Sequence, residues 1–304
     1  MAGADTRLGR SSRANDNTGN KALQKDGSDA DDNAPRPDVA VLAEGPENRL
    51  SGQWPDRMMR RIERPELHSF RVSQPRGQAM IYAGGGYLEL VYDKEGIEIA
   101  RWLNGLGLDA HVMIHRLPGA PGPDGAPLPF DIALRDALAG LDHLAQDERS
   151  LPLIHVGLSS GGHLAGVMAC QTNAPSAVGA IIAYGPINAN HREYKAPAGK
   201  PDYPPAEKQA FYDAWPVGIR AHPHAMPKVP LFMAYALHDR SVPVDHALNL
   251  ARSAAETGLD ADLHIFGCAP HGFALRDHGG THDAWPGLAN AWIDRLLPSV
   301  GAVG

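Results

Sequence analysis

Apolar and polar positions along the chain fall into two kinds of segment that take turns. Short and nearly uninterrupted apolar runs recur at "QAMIY" (78–82), "DAHVMIHRL" (109–117), "LPLIHVGL" (151–158), "VGAIIAYG" (178–185), "VPLFMAYAL" (229–237) and "ADLHIFG" (261–267). Runs of this length read as strands covered on both faces. A weaker strand is expected over Ser69–Val72. Between the runs lie stretches with helical spacing. "EGIEIARWLNGLG" puts Ile97, Ala100, Leu103 and Leu106 on one face and stops at Gly107, and "FDIALRDALAGLDHLAQ" does the same with Leu134, Leu138 and Leu141. Helices are also expected in "VDHALNLARSAAETG" and "DAWPGLANAWIDRLL". Strand and helix in alternation predict an α/β fold, a mostly parallel central sheet with helices on both faces.

Three stretches depart from that rhythm. Residues 1–39 have no aromatic side chain and no apolar period, so they cannot bury enough surface to offset their ordering entropy; they are expected to be a disordered tail. Residues 40–74 read as an N-terminal extension, and 75–304 as the α/β domain itself. Within that domain, residues 187–228 are proline-rich and carry Tyr194, Tyr203, Phe211, Tyr212 and Trp215 with little periodicity. An insertion of this length in a compact domain reads as a lid or substrate wall, the alternative being a surface elaboration that only packs its own aromatics.

The composition, 43% hydrophobic and 21% charged over 304 residues, is that of a globular protein with a substantial core. A formal net charge of −7 argues against nucleic acid or an anionic membrane as partner and for a small, neutral substrate. No stretch approaches the roughly 20 apolar residues of a membrane span, and the N-terminus has no apolar signal core, so a cytoplasmic location is expected. Cys170 and Cys268 have no near neighbour of their kind and are expected to be small buried residues, not a disulfide or zinc pair.

One apolar run changes the picture. "HVGLSSGGHLAG" (155–166) carries Gly157-Leu158-Ser159-Ser160-Gly161, a G-x-S-x-G turn between a strand and a helix. Composition alone yields roughly 0.1–0.2 such matches by chance in a chain this long, but few would have a strand before and a helix after. A serine hydroxyl needs a base, an orienting acid and donors for an oxyanion. His271 in "CAPHGFAL" and Asp239 in "LHDRSVP" each follow an expected strand, and the order Ser159, Asp239, His271 is that of α/β-hydrolases. Asp245 is the rival acid, at the expected start of a helix. His163 reads as structural and His238 as a weaker base, while His278 and His282 with Asp277 and Asp283 form a loose metal candidate without ligand geometry. "YAGGGY" (82–87) follows a strand and offers backbone N–H groups of Gly84 and Gly85, facing that of Ser160, as an oxyanion hole.

Taken together, "IYAGGGYLELVYDKEGIEIARWLNGLGLDAHVMIHRLPG", "GLSSGGHLAG", "HDRSVPVDHALNLARSAAETG" and "HIFGCAPHGFAL" resemble the α/β-hydrolase esterases of the acetyl-xylan and feruloyl esterase-like type, near the hormone-sensitive-lipase-like carboxylesterases. The resemblance spans residues 75–297. It implies a serine carboxylesterase acting through an acyl-enzyme with Ser159, Asp239 and His271 as triad, Gly84, Gly85 and Ser160 as oxyanion hole, and no cofactor. Ala83 stands where relatives carry His or Pro, and Ser160 replaces the usual Ala. Small acyl esters, foremost acetyl groups on imported oligosaccharides, are the expected substrates. The alternatives are a peptidase or amidase on the same triad, disfavoured because nothing before residue 75 is long enough for a propeller, and a non-catalytic binding protein on a hydrolase scaffold.

Overall fold

The computed structural model describes residues 35–172, 177–188, 201–222, 224–276 and 278–297. The segment 1–34, most of the expected tail, lies outside the described residues, as does Tyr194. Eight strands form one sheet: β1 (Asp38–Val41), β2 (Glu66–Phe70), β3 (Gly77–Tyr82), β4 (Leu108–Ile114), β5 (Leu153–Leu158), β6 (Ala177–Ala183), β7 (Leu231–Ala236) and β8 (Ala261–Phe266). Their order is β1-β2-β4-β3-β5-β6-β7-β8. β1 and β2 run antiparallel to their neighbours, and every pair from β4 to β8 is parallel.

Among the described residues, six helices accompany the sheet: α1 (Glu98–Gly105), α2 (Ile132–Leu144), α3 (Ser160–Ala169), α4 (Ala206–Ala214), α5 (Asp245–Thr257) and α6 (Trp285–Leu296). A π-helical turn, Asp93–Ile97, leads into α1, and the chain leaves that helix through Gly107 at φ +76°, a conformation glycine adopts without strain. The continuous apolar runs are explained by burial on two sides. Ala79 and Ile81 of β3 pack into one core with Ile97, Leu103, Trp285 and Trp292, whereas Met80 and Tyr82 pack into the other with Leu141, Leu164 and Leu250. Neither face of the strand meets water, so apolar and polar residues need not alternate. Among the described residues, no helix is long and apolar enough to cross a membrane.

Three expectations change. Residues 38–41 pair with 66–69, so order begins before residue 39 and the 40–74 stretch supplies two strands of the sheet. The weak strand expected over Ser69–Val72 lies upstream, at Glu66–Phe70. Its polar residues hid it: His68 is buried, bonded to Glu66 at 2.9 Å and to the Tyr92 hydroxyl at 2.7 Å. Cys268 is exposed, while Cys170 is buried and its thiol pushed up to about 12 by that burial.

The Glu66 cluster makes a prediction about acid stability. Burial acts to raise this carboxyl, but hydrogen bonds with His68, Arg64 and Asn48 outweigh it and hold the group at about 2 against an ordinary 4.5. A depressed folded-state value stabilises the fold above the unfolded value, and the contribution disappears as pH falls through the folded one. The stability margin of the wild type over Glu66→Gln, measured by urea denaturation, is therefore expected to shrink as pH falls from about 4.5 to 2. A margin independent of pH would rule the linkage out.

Candidate active site

The turn from β5 into α3 is shaped by three backbones crowding one point. A Cβ on Gly157 would collide with the carbonyl of Gly161, and one on Gly161 would overlap the carbonyl oxygen of Tyr82 at the end of β3. Ser159 between them is held at φ 51° and ψ −125°, a strained region for a residue with a side chain, with its N–H donating to Ala183 O at 2.9 Å. The strain lifts its hydroxyl above the C-terminal edge of the sheet.

Loops after β7 and β8 bring the other groups there. Ser159 Oγ lies 3.1 Å from His271 Nε2, and His271 Nδ1 lies 2.6 Å from Asp239 Oδ2. The other oxygen of Asp239 accepts the N–H groups of Ser241 (2.7 Å) and Val242 (2.9 Å). Burial acts to raise the Asp239 carboxyl, but the bonds from His271 and these two amides outweigh it and hold the group below the usual range. The aspartate is thus an anion aimed at one imidazole nitrogen, which leaves the other nitrogen facing the serine. Asp245 sits in the first turn of α5, and the imidazole's bond goes to Asp239 instead.

The glycine loop is arranged differently from the expectation. The Gly84 N–H donates at 2.9 Å to Oε2 of Glu95, a buried carboxylate, so this amide is already engaged and not free to receive an oxyanion. A side chain at Gly84 would run into both Glu95 and Ser159. The Gly85 and Ser160 amides carry no internal hydrogen bond among the described residues, and both residues line the cavity over Ser159. The Ser160 hydroxyl accepts the Gly86 N–H at 2.9 Å, which fastens the glycine loop to the residue after the nucleophile.

Glu95 escaped the sequence reading, since a glutamate at the start of a helix looks like a solvated one. Its other oxygen accepts the Tyr184 hydroxyl at 3.1 Å, and that hydroxyl accepts the Ala274 N–H at 3.2 Å. Glu95 therefore bridges the glycine loop to the loop carrying His271, whose ring meets the edge of Tyr184. Burial pushes its carboxyl up, against the opposing pull of the Gly84 amide and the Lys94 charge. The His271 loop is anchored further by Arg276, which binds Glu98 (2.8 Å) and Asp56 (2.7 Å), and by the Trp285 indole, which donates to Ala274 O at 2.6 Å.

The remaining histidines lie elsewhere. His163 is buried between the Tyr87 hydroxyl (2.9 Å) and Trp215 O (2.8 Å), and burial pushes it down to about 4; His238 is exposed. His278 and His282 stack at 5.5 Å, Asp283 lies 3.5 Å from His282, and Asp277 is outside the described residues. Among the described residues, no three His, Cys, Asp or Glu side chains gather as a metal site.

The serine opens on a cavity of about 340 Å³, lined among others by Gly85, Gly86, Tyr203, Lys208 and Tyr212. The last three come from the 187–228 stretch, where α4 was not legible because its nine residues contain only a short apolar face, Phe211 and Tyr212 packed on Tyr87 and His163.

Comparison with known proteins finds a family model and solved structures of the same fold. A sequence model of the prolyl oligopeptidase family matches residues 131–295, a span that includes Ser159, Asp239 and His271. No curated protein sequence matches the chain. Solved structures with the same fold include an acetyl ester-xyloside bifunctional hydrolase from Caldicellulosiruptor lactoaceticus, at 20% identity over 86% of this chain and 97% of that one, with a TM-score of 0.62. The carboxylesterase Cest-2923 from Lactobacillus plantarum matches at 20% identity over 84% and 99% (TM-score 0.62). Esterase 2 from Thermogutta terrifontis matches at 17% over 88% and 96% (TM-score 0.61).

Proposed function

The chain belongs to the prolyl oligopeptidase family, and from that premise we propose that this α/β-hydrolase cleaves small carboxylic esters, acetyl esters of carbohydrates foremost, through an acyl-enzyme on Ser159. The observation that carries the reading is the unbroken line from Asp239 through His271 to Ser159 beneath the open amides of Gly85 and Ser160. Ester hydrolysis is further supported by the similar structures, which are named as an acetyl ester hydrolase, a carboxylesterase and an esterase.

In this mechanism His271 Nε2 takes the Ser159 proton as Oγ attacks the ester carbonyl, and Asp239 stabilises the imidazolium through Nδ1. The negative oxygen of the tetrahedral intermediate accepts the Gly85 and Ser160 N–H groups, each such donor being worth about 2.7–4 kcal/mol in the transition state. The imidazolium protonates the departing alcohol. Water then attacks the acyl-serine with His271 as base, which releases the acid and returns the proton to Oγ.

The family's description favours a second reading, a peptidase or amidase on the same three residues. One experiment separates them. Incubation with a fluorophosphonate is expected to add a single label, located on Ser159 by peptide mapping, and 4-nitrophenyl acetate and butyrate are expected to turn over. Release of nitroaniline from prolyl and alanyl 4-nitroanilides at comparable kcat/KM would replace the ester reading with the peptidase one. A folded, unlabelled and inactive protein would remove both and leave a binding protein on a hydrolase scaffold.

A further inference from the structure

The cavity contains a cation that nothing described neutralises. Lys208, in the first turn of α4, is only 7% exposed and lines the same space as Ser159. Its ammonium makes no ion pair or hydrogen bond among the described residues; its polar neighbourhood is the face of Tyr203, 5.3 Å from Nζ. The ammonium stands beside the glycine loop, 3.8 Å from where a Cβ on Gly86 would be. The one carboxyl among the described residues lining the cavity, Glu95, has both oxygens engaged by Gly84 and Tyr184. The neighbouring Glu207 is directed the other way, against Gly119.

A buried ammonium without a counter-ion is unfavourable, and burial lowers the Lys208 pKa accordingly. Its place in the first turn of a helix adds to the disadvantage, because the positive end of the helix dipole lies there. An anion entering the cavity would supply the missing counter-charge. We infer that Lys208 is a specificity residue that binds a carboxylate carried by the ester substrate, within reach of the glycine loop. The natural substrates are then the acid-bearing members of that ester class, acyl esters of an acidic sugar or other hydroxy acid or hemi-esters of a dicarboxylic acid, and not the neutral molecules that the chain's net charge suggests. A single point charge in a space of about 340 Å³ matches one small carboxylate.

This inference rests on the ester-hydrolase reading, and the test keeps the two apart. Two substrate pairs differ only by methylation of the free acid: 3-acetoxybenzoate with its methyl ester, and monomethyl with dimethyl adipate. The first places the charge on the alcohol side and the second on the acyl side. In the wild type, at least one pair is expected to favour the anion by about tenfold or more in kcat/KM, chiefly through KM. Lys208→Met is expected to bring that ratio to within about twofold of one, and Lys208→Arg to restore part of it. Because each ratio is internal to one protein, partial misfolding of a variant does not change it. No preference in the wild type for either pair, or a preference that survives Lys208→Met, would overturn the inference. Should no ester turn over, calorimetric binding of 3-acetoxybenzoate and monomethyl adipate to Ser159→Ala, with and without Lys208→Met, decides the role of the lysine: loss of anion binding in the double variant supports it, and equal or absent binding refutes it.

Discussion

Ser159→Ala is expected to lower kcat for 4-nitrophenyl acetate by about 10⁴-fold or more while leaving the fold intact. The hydroxyl is the atom that forms the acyl bond, and among the described residues no other serine or cysteine shares its contact with His271 Nε2. What remains without it is general base catalysis of water by His271, assisted by the Gly85 and Ser160 amides, which is far slower than attack by a positioned serine. Alanine faces the same backbone strain at φ 51° that serine does, so thermal stability should move little. Steady-state kinetics together with the thermal midpoint by circular dichroism checks both halves. A variant retaining more than about a hundredth of the wild-type kcat would remove Ser159 from the mechanism.

The second large effect concerns the geometry that presents this serine. Gly161→Ala would put a methyl group into the carbonyl oxygen of Tyr82 and 2.8 Å from that of Ala83, so the end of β3 and the glycine loop must yield together. Both obstacles are backbone atoms, which cannot rotate aside. A loss of about 3 kcal/mol or more of unfolding free energy is expected, together with near-complete loss of turnover, because the displaced loop is the one bearing Gly85. Gly105→Ala is the matched control. Nothing lies within 4 Å of its built Cβ, and it stands at the last position of α1, so it should be neutral or stabilising by up to about 1 kcal/mol. Denaturant midpoints of the two variants give the comparison, and equal midpoints would show that the crowding at position 161 is relieved without cost.

What could be read from the chain was whatever leaves a periodic or local mark. Continuous apolar runs gave away β3 to β7 because each is covered on both faces, and β8 as well although its edge position leaves it half exposed. The nucleophile turn showed itself because its glycines are required by contacts within a few residues, and Asp239 and His271 because each follows its strand. The misses share a different cause. β2 was placed too far along because His68 and Glu66 are polar yet buried, and their mutual bond is a tertiary fact. Gly84 was assigned to the oxyanion hole because three consecutive glycines look equivalent in sequence. Only the packing of Glu95 behind the loop engages one amide and leaves the next one open. Lys208 carried no signal at all, since its burial depends on how α4 packs against Tyr87 beside Gly86.

The placement of the His271 loop also sets when hydrolysis becomes possible in the life of the molecule. The serine turn is complete once β6, whose Ala183 O receives the Ser159 N–H, has left the ribosome, but the base arrives about ninety residues later, and its loop is pinned by Trp285 of α6 and by the reach of Arg276 back to Asp56 and Glu98. At ordinary synthesis rates that interval is on the order of ten seconds. A nascent chain thus spends it with a raised serine and no partner to activate it, and catalytic competence arrives as a single late event when α6 docks, the same step that completes the core against β6 and β7.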